Sequence, residues 1–419
     1  MRLPAFRHAG FRNYVFGSFV SNTGTSVQTW AIMWHIYHLT GSSYFVGMVG
    51  LVRVVPLLFF TLYGGVLADQ TDRRKMMLIS QSAMAFVALA AAIVTVSGYA
   101  GVGFLYLVVA AHSVARAFDG PARQSMFVTL VPARDFPNAA SINGIAWQLS
   151  DVLGPLIAGV IIAVLGAHVV LGLSVCYALN CVSFFAVLVA VWFLPPCHPA
   201  NAQDRAKSFS QVVDRIRDGL RFVANSPVVR SAMWIDFWAT LFSGATALIP
   251  AMAKNILHSG ALGYGVLASA GGLGALIAAL TLSLRPTVQR QGMTVVIMIA
   301  LYGLFTILFG LAGNLWIAAV CLAAVGASDM ISTVLRQTIR QLSTPDEMRG
   351  RMNATSSLFH ISGPQLGDFE AGAVARLWGE RVSIVLGGVL CLFVAAHWTR
   401  SRALVGYVHS EADAETVIG

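Results

Sequence analysis

Long apolar runs alternate with short polar breaks along almost the whole chain. They cover residues 11–38, 43–68, 75–97, 101–128, 137–165 and 168–194, then, after a polar stretch, 228–256, 260–284, 292–312, 314–340, 350–377 and 380–399. Each run matches or exceeds the roughly 20 apolar residues that a helix needs to cross a bilayer. Several carry Gly, Ser, Asn and Asp, which membrane helices accept when they face protein or a water-filled cavity. The pattern predicts an all-α polytopic membrane protein with about a dozen spans.

Composition agrees. Of 419 residues, 57% are hydrophobic and only 11% charged, against about 25% charged in a soluble domain. The net charge of +9 is not a nucleic-acid signal, because the bases are placed by topology. The N-terminus, the 69–75 loop, Arg123, Arg134, the 195–230 connector, Arg285, Arg290, the 336–351 segment, Arg400 and Arg402 fall on one side. Lys254, Arg376 and Arg381 fall on the other. By the positive-inside rule both termini and the connector are cytoplasmic. Arg2, Arg7 and Arg12 precede a first run that continues as a full span, so no cleavable signal is expected. Five cysteines at irregular spacing predict neither a disulfide framework nor a metal site. His35 and His38 are read as interfacial rather than as metal ligands.

The expected organisation is a six-helix bundle over 1–194, a cytoplasmic linker over 195–227, a second six-helix bundle over 228–402 and a tail over 403–419. In the linker, Val212, Val213, Ile216, Leu220 and Val223 recur at helical spacing opposite charged residues. This predicts an amphipathic helix at the cytoplasmic surface. The halves repeat: Arg123-Gln124 recurs as Arg336-Gln337, Pro132 as Pro345, Leu153-Gly154 as Leu366-Gly367 and Ala158-Gly159 as Ala371-Gly372.

Between the second and third runs lies Gly64-Gly-Val-Leu-Ala-Asp-Gln-Thr-Asp-Arg-Arg-Lys75. Its glycines (Gly64, Gly65) suit close helix approach, Asp69 sits at the hydrocarbon edge, and Arg73, Arg74 and Lys75 mark the cytoplasmic face. This order resembles the loop signature of the major facilitator superfamily, with Gln70 where the family usually has Arg or Lys. The stretch Leu335–Gly372 is similar to a bacterial exporter branch that includes enterobactin exporters and macrolide-efflux proteins. The resemblance covers essentially the whole chain. It implies twelve helices in two bundles, substrate bound near the midplane between repeats, and a single-chain inner-membrane exporter driven by the proton gradient without a cofactor. Its partners would be a small-molecule substrate, protons and lipid, with no nucleic acid, and the chain would act as a monomer.

Charged groups inside spans cost roughly 2.5–3.5 kcal/mol each on insertion scales, so they mark function by default. Gly65, Asp69, Arg73, Arg74, Asp119 and Arg123 lie at cytoplasmic ends of spans two to four and form a candidate gating cluster, or else static salt bridges. The resemblance makes Asp69 the helix-end acid and Arg123 its partner. Asp151, Asp368 and Glu370 lie nearer mid-depth and are candidates for proton coupling, or else buried partners of Arg53 or Arg116. Trp30, Trp34, Arg53, His112, Arg116, Trp147, Gln148, Trp234, Asp236, Trp238, Asp329 and His360 are candidates for the substrate cavity. Aromatic faces with a nearby guanidinium suit an amphipathic organic compound carrying anionic or phenolic groups; the tryptophans are alternatively lipid-facing or interfacial.

In the fifth run Ser141, Ser150, Gly154, Pro155, Ala158 and Gly159 occupy spacings resembling an antiporter motif, three of them Ser or Ala where that motif has Gly. Ser150, Gly154, Pro155 and Gly159 are expected to serve helix packing, with a kink at the Gly-Pro pair. The motif implies export. Motifs for nucleotide binding, a serine nucleophile and a zinc protease are absent from the sequence. The expected function is therefore proton-coupled export of a small amphipathic compound, drug-like or siderophore-like, by alternating access, not catalysis. Uptake or facilitated diffusion of a metabolite, and a ligand sensor without transport, remain alternatives.

Overall fold

The computed structural model describes residues 4–195, 197, 209–284 and 288–407, without the side chains at 62, 66, 68, 69, 209–213, 215 and 354. All regular structure among them is helical. The first half contains α1 (Ala9–Thr40), α2 (Ser43–Gln70), α3 (Arg73–Val96), α4 (Val102–Phe127), α5 (Phe136–Val164) and α6 (Val169–Trp192). The connector contributes α7 (Phe209–Asn225). Then come α8 (Pro227–Phe242), the short α9 (Ile249–Ala251), α10 (Gly260–Leu284), α11 (Gln291–Leu311), α12 (Leu315–Leu342), α13 (Asp346–Trp378), α14 (Glu380–Trp398) and α15 (Arg402–Val405).

Ten helical segments among the described residues have the length and hydropathy to cross a membrane, with α8 and α9 inside one of them. The two other long helices, α1 and α13, bring the set to the expected twelve. Their lower hydropathy has a physical cause. Ser18, Ser21, Ser26, Gln28 and His35 of α1, and Thr355, Ser356 and Asp368 of α13, point into protein, where polar groups find partners. Large apolar side chains such as Ile79, Phe86, Leu107 and Val164 are exposed, as lipid-facing positions require.

The span expected at 228–256 is interrupted. α8 stops at Phe242, the chain turns through Ser243–Ala245, and helical structure resumes at Thr246–Leu248, continuing through α9 and a π-helical turn at Met252–Ile256. Ser243-Gly244 and Pro250 are the sequence cause. The Asp368 carboxylate accepts from Ala247 N–H at 3.2 Å, meeting one of the orphan donors of the restarted helix.

Packing divides the chain into two compact units. One comprises Met1–Gly41, Leu51–Val212 and Ala253–Ser269; the other comprises Ser42–Gly50, Val213–Met252 and Ala270–Gly419. Each takes a short stretch from the other half of the sequence, and glycine explains both. In the first unit a Cβ at Gly159 would lie 2.7 Å from Gly265 Cα, so α5 and the start of α10 touch backbone to backbone. In the second, a Cβ at Gly47 would lie 2.5 Å from the Asp368 carbonyl oxygen, and the start of α2 lies against α13.

Phe11, Tyr14, Met77, Met84, Met126, Phe184 and Val187 form the core of the first unit; Ile235, Ala239, Val295, Ile299, Leu335 and Ile339 form that of the second. The amphipathic α7 turns part of its apolar face onto protein. Val223 is buried with Val229, Met233 and Met352, and Asp218 pairs with Arg351 at 3.3 Å.

Candidate functional site

One face of α4, with Arg116, Asp119, Gly120, Arg123, Gln124 and Phe127 at helical spacing, lines a cavity of about 510 Å³ within the first unit. Tyr14, Ser21, Asn22 and Thr25 of α1, Gln81 of α3 and Asn143 and Trp147 of α5 complete much of its wall. Its two guanidinium groups are held differently. Arg123 Nε donates to Asp119 Oδ2 at 3.0 Å, while Asp119 Oδ1 accepts from Gln81 Nε2 at 2.7 Å and Ser80 Oγ at 3.2 Å. That acid is buried and fully partnered. Arg116 instead lies over the Trp147 ring, 5.3 Å from its centroid, and forms no ion pair among the described residues. Asp151, one turn beyond Trp147, is exposed and within electrostatic reach of Arg116. A cation spread over an indole face in a membrane lobe, with amide and hydroxyl groups around it, is built to receive an anion.

The Gly64–Lys75 loop acts locally as a staple. Asp72 caps α3 by accepting from Arg74 N–H at 3.0 Å, and the same Oδ1 accepts from Cys197 N–H at 3.1 Å. Arg73 N–H donates to the Cys197 carbonyl at 3.1 Å. Arg74 lies over the Trp192 ring and donates to the Trp192 carbonyl. The loop therefore fixes the end of α6 and the entry to the connector. Arg123, for which the sequence suggested Asp69, is paired with Asp119; the Asp69 side chain lies outside the described residues. Of the two glycines, only Gly64 is a close contact: a Cβ there would lie 2.5 Å from the Ala117 carbonyl, whereas one at Gly65 meets nothing within 4 Å.

The second unit holds a denser charged centre. Arg336 of α12, 1% exposed at its side chain, lies 2.7 Å from Asp236 of α8 and 3.8 Å from Asp329. Arg340 and His360 approach Asp236 at 3.7 and 3.9 Å. Arg336 also donates to Ser332 and Thr333 hydroxyls at 2.9 and 2.8 Å. Asp236, expected to line a cavity, is thus closed in by ion pairs, because a buried carboxylate on α8 requires cations from α12.

Other expected residues disperse. Trp30 and Trp34 pack on Tyr264, with centroids at 5.9 and 5.0 Å, and the Tyr264 hydroxyl donates to the Trp30 carbonyl. They line no part of the α4 cavity. Trp234 and Trp238 form a stacked row with Phe242 along α8, and Trp238 packs against the core. His112 lies tilted beside Phe184, with ring centroids 6.5 Å apart, and its buried Nε2 has no hydrogen-bond partner among the described residues. Arg53 and Gln148 are half-buried and engaged in polar interactions. Glu370 is half-buried without an ion pair or hydrogen bond among the described residues. Ser150 accepts from Thr23 Oγ1 at 3.1 Å, and Gly154 and Pro155 are buried where α5 meets α1 and α10, with Gly154 against Ser26. The cavity residues that charge-based reading passed over are Tyr14, Asn22, Thr25, Gln81 and Asn143. Their signal was a polar stripe on α1, where Tyr14, Ser18, Ser21 and Thr25 repeat at helical spacing.

Comparison with known proteins gives the family. A model of transmembrane secretion effectors matches residues 2–414. The chain is 27% identical over 424 residues to the enterobactin exporter EntS of Salmonella typhi, and 25% identical over 402 residues to that of Escherichia coli O1:K1 / APEC. Each alignment covers 94% of both chains. Among solved structures, a bacterial homologue of the human lysosomal transporter Spinster superposes with a TM-score of 0.71 at 13% identity, covering 97% of this chain and 99% of that one. The nucleoside transporter NupG does so with 0.71 at 12% identity, covering 94% and 98%. These structural matches share the fold. The chain is a multi-pass membrane transporter of the major facilitator superfamily and belongs to its family of transmembrane secretion effectors.

Proposed function

We propose that this protein exports a small, amphipathic, siderophore-like compound across the bacterial inner membrane in exchange for protons, with both termini cytoplasmic. The observation that carries the reading is Arg116 over Trp147, at the wall of a cavity of mixed polar and apolar lining inside one lobe. A guanidinium that forms no ion pair among the described residues attracts an anionic or phenolic head, and the indole supplies stacking area for a planar ring. Enterobactin exporters among the relatives support a siderophore-like cargo, and the glycine-rich packing of α5 supports export. Alternating access presents the cavity to each side of the membrane in turn. The staple at 72–74 and the Asp119–Arg123 pair act as its cytoplasmic latch, with Asp151, Asp368 and Glu370 as carboxylates that respond to protons. The chain works as a monomer without a cofactor or nucleic acid.

Purified protein in liposomes, with enterobactin as probe and an imposed pH gradient, tests this. Gradient-dependent movement that collapses with a protonophore is expected. Binding without movement overturns the transport reading in favour of a sensor; movement insensitive to the gradient overturns proton exchange.

A further inference from the structure

Resting on the transport reading above, we propose that Asp329 is a further proton-binding carboxylate of the second lobe, beside Asp368 and Glu370, set by competition with Asp236 for the single guanidinium of Arg336. The geometry of the three groups is unequal. Arg336 is buried and sits 2.7 Å from Asp236 but 3.8 Å from Asp329. Asp236 is closed in, with Arg340 and His360 as further partners. Asp329 has the longer contact to Arg336 and a hydrogen bond with the Thr333 side chain, and 46% of its own side chain is exposed. One acid is therefore locked and the other is loosely held and reachable, and a carboxylate at this depth is tolerated only with a partner or water.

Among the described residues, the titratable or charged groups around the centre are Asp236 on α8, Tyr302 on α11, Arg336 and Arg340 on α12 and His360 on α13, with Cys391 of α14 beyond Tyr302. With both acids ionised, their two negative charges face the two guanidinium groups of Arg336 and Arg340. Arg336 retains a buried Nε without a hydrogen-bond partner among the described residues, so its donors are not saturated. A proton on Asp329 removes that acid's pull and leaves Arg336 wholly to Asp236. Loss of the proton makes Arg336 a shared partner and tightens the demand on α12. Because Asp236 lies on α8, less than two turns before the interruption at Ser243, the proton state of α12 is transmitted to the broken span.

Infrared titration of the reconstituted protein, with no substrate present, tests this separately from cargo. From about pH 5 to 9, where a perturbed carboxyl can titrate, wild type should lose a neutral-carboxyl C=O band. Asp329→Asn should remove one component of that band at unchanged Tm, Asp329→Glu should restore it, and His360→Gln should move that component's midpoint. A band unchanged in Asp329→Asn overturns the assignment. Should Asp329→Asn unfold, an unmoved midpoint in His360→Gln also overturns it. If the band behaves as proposed but enterobactin does not move, the cargo reading fails and this one stands.

Discussion

The two units solve the burial of charge in opposite ways. In the first, Asp119 is consumed by Arg123, Gln81 and Ser80, and Arg116 is left facing an indole and an open cavity. In the second, positions 213 residues later reverse the chemistry: Arg116 becomes Asp329 and Trp147 becomes His360, while Arg123-Gln124 is kept as Arg336-Gln337. Arg336 is then wrapped by acids and hydroxyls. One half thus carries a cation outside any ion pair among the described residues, and the other a carboxylate that shares a guanidinium at the longer distance of 3.8 Å. That difference suits an anion in the first unit and a proton in the second.

Substitutions in the two units differ widely in expected effect. Arg336→Met should cost most, roughly 3–5 kcal/mol, because Asp236 would stay buried without its main cation; detergent Tm measures this, and an unchanged Tm would show that the centre is not a structural pair. Gly154→Ala should destabilise by about 1–3 kcal/mol, since its Cβ would run into Ser26 and α5 would separate from α1. Trp147→Ala should weaken enterobactin binding by about 0.5–2 kcal/mol through loss of the ring beneath Arg116, with Tm little altered because Trp147 is already 40% exposed. Gly65→Ala should lie within about 0.5 kcal/mol of wild type, as its Cβ position is open. A large effect there on transport but not stability would return Gly65 to the moving parts.

Much of the fold was legible in the sequence because lipid imposes one strong rule, a long apolar run for every crossing. The start of α10 at Gly260 and its end at Leu284 coincide with the run read from sequence, and most other boundaries lie within a few residues. The interruption of the seventh span was missed, since Ser243-Gly244 lies inside an otherwise apolar run and hydropathy does not register backbone breaks. The site was less legible. Ionisable residues stand out in apolar runs, so Arg116, Asp119, Asp236 and Arg123 were found. Which of them pair depends on rotation of neighbouring helices, which one sequence does not encode visibly. Trp30 and Trp34 looked like cavity aromatics but serve packing on Tyr264. Asn22, Thr25 and Asn143 line the cavity yet are uncharged and common in membrane helices.

The division between the lobes is tested most directly by the Kd for enterobactin in two variants at one fixed pH. Arg116→Gln should raise it tenfold or more, a loss of about 1.4 kcal/mol or greater, whereas Asp329→Asn should leave it within about threefold, under 0.7 kcal/mol. Equal losses in both, or a loss confined to Asp329→Asn, would contradict the assignment of the anion to the first unit.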